Sequence, residues 1–228
     1  AAYYAAQKAC EPLHVQYSYD DRSVWVVNTY GEPQRNLSVT ATLFDFDLKE
    51  RFTKETKLTV EADGKAEAFK LDIPADISTT YFLRLKLVDE SGKPVTENTY
   101  WLSTAPDEPG TETELGETAY SLHPKSTANM KALGTLPATK VTWSFSMEHA
   151  GNERIVPVTL QNTGASLAFM VRADITQGES GQQLCPVFWN ENYVTLWPGE
   201  SKTLTARVYA ADIDGIAPSI SLTGWNLE

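Results

Sequence analysis

Apolar residues recur at every second position along most of this chain, and that period restricts the fold more than any other feature. In residues 79–88, Tyr81, Leu83, Leu85 and Leu87 lie on one face, and Thr80, Arg84 and Lys86 lie on the other. A period of two is typical of antiparallel strands with one buried face. The same alternation occurs at Leu37, Val39, Ala41 and Leu43; Phe69, Leu71 and Ile73; Trp143, Phe145 and Met147; Val156, Val158 and Leu160; Leu167, Phe169, Val171 and Ile175; Val194 and Leu196; Leu204, Ala206 and Val208; and Ile220 and Leu222.

Turn signals separate these runs into two series of short strands. They are Gly31-Glu32-Pro33, Asp63-Gly64, Ser91-Gly92, Asn162-Thr163-Gly164, Pro198-Gly199 and Asp214-Gly215. Glycine supplies positive φ and proline presets a turn. About seven strands in roughly 100 residues suit an immunoglobulin-like sandwich. The sequence therefore predicts an all-β chain of two tandem immunoglobulin-like β-sandwich domains with a short N-terminal helix.

Composition changes mark the boundaries between these parts. Alanine-rich residues 1–9 predict a helix that Pro12 ends. A sandwich over 10–104 follows, then a linker over 105–135 that is rich in Pro, Gly, Thr and Glu, and a second sandwich over 136–228. Within the linker we expect one helical turn near 127–133.

Two apolar surfaces lack an evident partner. A helix of about nine residues is marginal alone in water, so 1–9 predicts the helical remnant of a larger upstream domain. Strand 23–28 is apolar on both faces, with Trp25 and Val27 pointing away from its own core. The cover of this strand would come from the second sandwich or from a body outside this sequence. We expect the latter, with interdomain contacts at Tyr3, Tyr4, Trp25 and Val27.

Charge and residue usage exclude several classes of function. Nineteen basic against thirty acidic residues give a formal net charge of −11, which disfavours nucleic acid as a partner. No apolar stretch reaches the roughly 20 residues of a membrane span. Cys10 and Cys185 are predicted to be unpaired and packed as small hydrophobic residues. The three histidines, His14, His123 and His149, show no metal-ligand spacing, so we expect neither a metal nor another cofactor.

Carboxylates are candidate catalytic groups, because sugar hydrolysis needs only a pair of them. Asp45 and Asp47 alternate on one predicted strand face, and Asp20 and Asp21 share a turn. Such residues are more often solvated, and a filled sandwich rarely offers the cleft that raises a catalytic pKa. We therefore predict no catalytic residue, and no enzyme activity for this chain alone.

Six tryptophans allow a different function, since aromatic faces stack on sugar rings. Trp143 is in phase with its strand, which predicts a core position. Trp189, Trp197 and Trp225 lie near strand ends and would form a sugar platform only if exposed on one plane.

Three segments resemble parts of a known family. They are EPLHVQYSYDDRSVWVVN (11–28) after the alanine-rich helix, NTYWLST (98–104), and PVFWNENYVTLWPGESKTLTARV (186–208) with LTGWN (222–226). In this order they resemble the C-terminal region of family 2 glycoside hydrolases of the exo-β-D-glucosaminidase type. Related β-mannosidases share this organisation, so the sugar stays open.

The resemblance implies an accessory function. In that family the catalytic carboxylates lie on a (β/α)₈ barrel upstream, and no residue here matches them. The chain would brace that barrel, its partner in the same polypeptide, and would meet a glycan only through the parent enzyme, which removes a non-reducing-end residue with retention. Family habit suggests a periplasmic or secreted parent. The alternatives are a carbohydrate-binding module and a stand-alone adhesion or assembly protein of tandem sandwiches.

Overall fold

The first sandwich contains seven antiparallel strands in two sheets. The computed structural model describes residues 1–108, 110, 124–179 and 181–228. The sheet orders are β1–β2–β5 and β4–β3–β6–β7, which confirms the predicted sandwich. The strands are β1 (Leu13–Tyr17), β2 (Ser23–Asn28), β3 (Gln34–Phe44), β4 (Glu50–Val60), β5 (Gly64–Lys70), β6 (Thr80–Val88) and β7 (Pro94–Ser103).

The core of this sandwich follows the period-two pattern. On the central pair β3 and β6, Ala41 lies opposite Leu85 and Leu43 lies opposite Leu83. These four side chains are fully buried. Opposed residues of antiparallel strands share a face, so their apolar side chains meet in the core.

Two hairpin loops of the four-stranded sheet have the same construction. In each, the first residue is an aspartate that bonds the backbone of the fifth, Asp45 with Lys49 and Asp89 with Lys93. The fourth residue has positive φ, which Gly92 adopts at little cost. The predicted strand face carrying Asp45 and Asp47 is therefore wrong, because β3 ends at Phe44 and both aspartates lie in the loop.

The described parts of 105–135 are attached to the first sandwich. Glu108 pairs with Ser126, and the Thr80 hydroxyl donates to the Asn129 carbonyl over 2.9 Å. A 3₁₀ helix, Lys131–Thr135, lies against β6. The compact unit thus spans Glu11–Thr135. Much of the predicted linker, 111–123, lies outside the described residues.

The second sandwich has one large and one small sheet. The order of the large sheet is β12–β14–β10–β8, with β9 also pairing with β10, and that of the small sheet is β13–β11–β15. The elements are β8 (Val141–Phe145), β9 (Glu148–Ala150), β10 (Glu153–Asn162), β11 (Ala168–Gln177), β12 (Phe188–Trp189), β13 (Val194–Leu196), β14 (Ser201–Tyr209), α2 (Ala210–Ile213) and β15 (Pro218–Thr223).

The core of the second sandwich lies between these sheets. Alternate residues of β10, β11 and β14 point inward and are buried, as the sequence predicted: Val156, Val158, Leu160, Val171, Ile175, Leu204, Ala206 and Val208. At one end, Arg154 donates to both carboxylate oxygens of Asp214, which follows α2. This ion pair fixes the α2 turn to β10.

The N-terminal helix α1, Ala2–Ala9, belongs to the second compact unit, which comprises Ala1–Cys10 and Leu136–Glu228. The predicted helix is therefore present, and it packs on the sandwich that is farther away in sequence. No residue of α1 is fully buried. Among the described residues, no helix has the length and apolarity needed to cross a membrane.

Candidate functional site

Helix α1 contacts the second sandwich through Tyr4. The ring of Tyr4 lies 6.0 Å from that of Tyr193, at an angle of 40°, and it packs against the buried core of this sandwich. The neighbouring Tyr3 is 71% exposed. Tyr4 therefore anchors the helix, while Tyr3 points to solvent.

Beside this contact, three polar side chains form a closed network on the outer face of the small sheet. Arg172 donates to Asp174 over 2.9 Å and to the Gln183 side-chain oxygen over 3.1 Å. Gln183 in turn donates to Asp174 over 2.7 Å. The guanidinium of Arg172 also lies 5.9 Å from the ring centre of Tyr193. Each group is thus held by two others.

A buried asparagine fixes the loop that carries Tyr193. The side chain of Asn192 accepts from the Ala173 N–H over 2.9 Å and donates to the Ala173 carbonyl over 2.8 Å. It pairs with the backbone of β11 as another strand would. This pairing holds Tyr193 beside Arg172 and Tyr4.

Tyr4, Tyr193 and the polar network line part of a half-open pocket of about 230 Å³, which Ala1 also lines. Its lining includes Tyr4, Arg172, Asp174, Gln183 and Tyr193, with Trp189 among the apolar members. Because Arg172 and Asp174 form an ion pair, the pocket carries one positive and one negative charge from this pair. We call it the helix pocket.

Two pKa values reflect these surroundings. Burial raises the pKa of the Tyr4 phenol, and its hydrogen bond with Asn192 opposes that rise. Desolvation alone would lower the pKa of Arg172, but the hydrogen bond and the charge of Asp174 outweigh it and raise the pKa above its ordinary value. Arg172 is therefore a permanent cation.

Sequence reasoning identified Tyr4 and missed the rest of the helix pocket. Arg172 and Asp174 alternate with the buried residues of β11, which is also the pattern of an ordinary solvated face. Gln183 lies on a loop after β11 and Tyr193 lies just before β13. Only the folded chain brings them together.

The predicted sugar platform is not formed. Trp189 and Trp197 are 7% and 6% exposed, whereas Trp225 is 60% exposed. A platform needs rings exposed on one plane, so these three tryptophans cannot supply one. Trp143, predicted to lie in the core, is 41% exposed, because its strand β8 is at the edge of the sheet and has only β10 beside it in this order.

The outward residues of β2 are half-buried, as Trp25 and Val27 show. The Lys65 ammonium lies 5.1 Å from the Trp25 ring centre, and the indole N–H donates to the Ser23 hydroxyl over 2.6 Å. These neighbours cover Trp25 in part and leave an apolar surface on this sheet.

The carboxylates considered for catalysis have structural surroundings. Asp45 accepts two backbone N–H groups of its loop and faces Arg51 at 3.4 Å. Asp21 pairs with Lys70 at 2.7 Å. The Lys70 hydrogen bond, with further bonds from Ser23, lowers the pKa of Asp21, the opposite of the rise expected for a general acid.

The cysteines and histidines form no site in the described part of the chain. Cys10 and Cys185 are unpaired, and both are exposed, so their predicted packing is wrong. His14 is buried against the Glu11 carbonyl at 2.7 Å, His149 lies in β9, and His123 falls outside the described residues. No group of three or more His, Cys, Asp or Glu side chains among these residues could hold a metal ion.

In comparison with known proteins, each sandwich matches a family of immunoglobulin-like domains. Residues 119–227 match the family described as "Exo-beta-D-glucosaminidase Ig-fold domain", and residues 20–105 match "Mannosidase Ig/CBM-like domain". Curated exo-β-D-glucosaminidases of Streptomyces avermitilis and Amycolatopsis orientalis are 41% and 40% identical over 99% of this chain. The chain spans only 25% and 22% of their lengths.

Solved structures give the same assignment. The crystal structure of the Amycolatopsis orientalis exo-chitosanase matches 99% of this chain and 27% of its own, with a TM-score of 0.90 and 38% identity. A β-D-mannosidase of Dictyoglomus thermophilum shares the fold, with a TM-score of 0.60 at 17% identity, over 100% of this chain and 23% of its own. This chain therefore consists of immunoglobulin-like domains of the type found in exo-β-D-glucosaminidases and mannosidases.

Proposed function

We propose that this region braces a catalytic (β/α)₈ barrel that precedes it in the same polypeptide. The whole protein would then remove glucosamine, or a similar sugar, from the non-reducing end of a glycan with retention of configuration. The names of the relatives at about 40% identity support the substrate class. The resemblance of 11–28 to the exit of such a barrel supports the position of the barrel.

The attachment of α1 to the second sandwich carries this proposal. If α1 is the last helix of the barrel, Tyr4 is a barrel residue seated against Tyr193 and the core of the second sandwich. The second sandwich would then hold the barrel directly. The half-buried outer residues of β2, Trp25 and Val27, would supply a further contact.

Replacing Tyr4 tests this brace in the full-length protein. Tyr4→Ala removes the ring that packs on the sandwich, and we expect a loss of about 1–2 kcal/mol in the free energy of unfolding, since the ring is only half-buried. Tyr3→Ala is the matched control, because Tyr3 is 71% exposed on the same helix. Thermal unfolding of the two variants gives the measurement.

Equal thermal midpoints for the Tyr4 and Tyr3 variants would contradict the brace. A second comparison removes the second sandwich by truncation after Thr135, where the first compact unit ends. If the truncated protein kept the stability and the activity of the full-length protein, that result would contradict an accessory structural function.

A further inference from the structure

We draw no further inference here: the strongest candidate, the exposed apolar patch of Trp143 and Met147 on and just after the edge strand β8 of the second sandwich, carries nothing, because nothing in the described part of the structure shows what covers it.

Discussion

At the scale of single residues, buried asparagine side chains hydrogen-bond to backbone groups where strands and loops meet and strand pairing is interrupted. Each uses both its amide oxygen and its amide nitrogen on backbone groups. Asn162 donates to the carbonyls of Ser166 and Leu196 and accepts from the Gly164 N–H. An amide is the one side-chain group that both donates and accepts in the backbone geometry. Asn28, Asn192 and Asn226 act in the same way.

Removing the Asn162 amide should cost much of the stability of the second sandwich. Asn162→Ala leaves buried carbonyls and N–H groups without partners, at about 1–3 kcal/mol for each unsatisfied group. We expect a loss of about 2–4 kcal/mol in the free energy of unfolding, measured by urea denaturation. The control Asn152→Ala, at an exposed turn position, should change the free energy of unfolding by less than about 0.5 kcal/mol. Equal losses in the two variants would contradict a structural function of the Asn162 amide.

At the scale of elements, a group of tyrosines closes the side of the first sandwich where β1 and β7 meet. Tyr17 contacts Tyr100 with ring centres 5.8 Å apart, and the Tyr17 N–H donates to the Tyr100 hydroxyl. Burial raises the pKa of Tyr17 and of Tyr100, and it raises that of Tyr81 on β6 to about 12. These phenols must stay neutral in the folded state.

Alkaline pH should therefore destabilise the first sandwich. The unfolded Tyr81 phenol ionises near pH 10 and the folded one near pH 12, so its contribution is complete below pH 10 and is lost between pH 10 and 12. We expect a loss of up to about 2–3 kcal/mol from Tyr81 over that range. Urea denaturation at pH 9 and pH 11 should show about half of this loss, roughly 1–1.5 kcal/mol, and Tyr81→Phe should show a smaller one. The same loss in both proteins would exclude Tyr81 as the source.

The elements also show where sequence reasoning succeeds. Central strands such as β3, β6, β10 and β14 have one fully buried face, so their period of two predicts them directly. The edge strand β4 is largely exposed and carries a weak apolar period, and β9 and β12 are only three and two residues long. The core position predicted for Trp143 is wrong because the apolar period shows only which face of a strand a residue occupies. The exposure of that residue also depends on how many strands flank its own strand.

The candidate site was less predictable for a related reason. Tyr4 was identified because an alanine-rich helix with two tyrosines needs a partner, but the partner was expected outside the chain. The pocket residues come from β11, from the loop after it and from the segment before β13. Their meeting depends on long-range packing that a local pattern does not record.

At the scale of the whole molecule, two separate cores correspond to two compact units, Glu11–Thr135 and Ala1–Cys10 with Leu136–Glu228. In sequence, the first sandwich thus lies between α1 and the second sandwich, which contacts α1. Each unit also has a surface that the proposed barrel would cover: the outer side of β2 on the first and the exposed side of α1 on the second.

Hydroxyl-radical footprinting should detect the cover over β2. We expect the Trp25 side chain to react at least about twofold more slowly in the full-length protein than in the 228-residue chain, because a contact excludes water from its exposed edge. Tyr30, 46% exposed in the turn after β2, is the internal reference within the same domain. Equal reactivity of Trp25 in both proteins would place the barrel contact elsewhere.

The discontinuous second unit also has a consequence for biosynthesis. A ribosome makes α1 before the strands that receive Tyr4, with 188 residues between Tyr4 and Tyr193. The helix leaves the exit tunnel long before its acceptor exists, although each sandwich can fold as soon as its own strands emerge. Packing of Tyr4 on the second sandwich is therefore a late event, and a premature stop codon anywhere before Tyr193 would release a polypeptide in which Tyr4 lacks this partner.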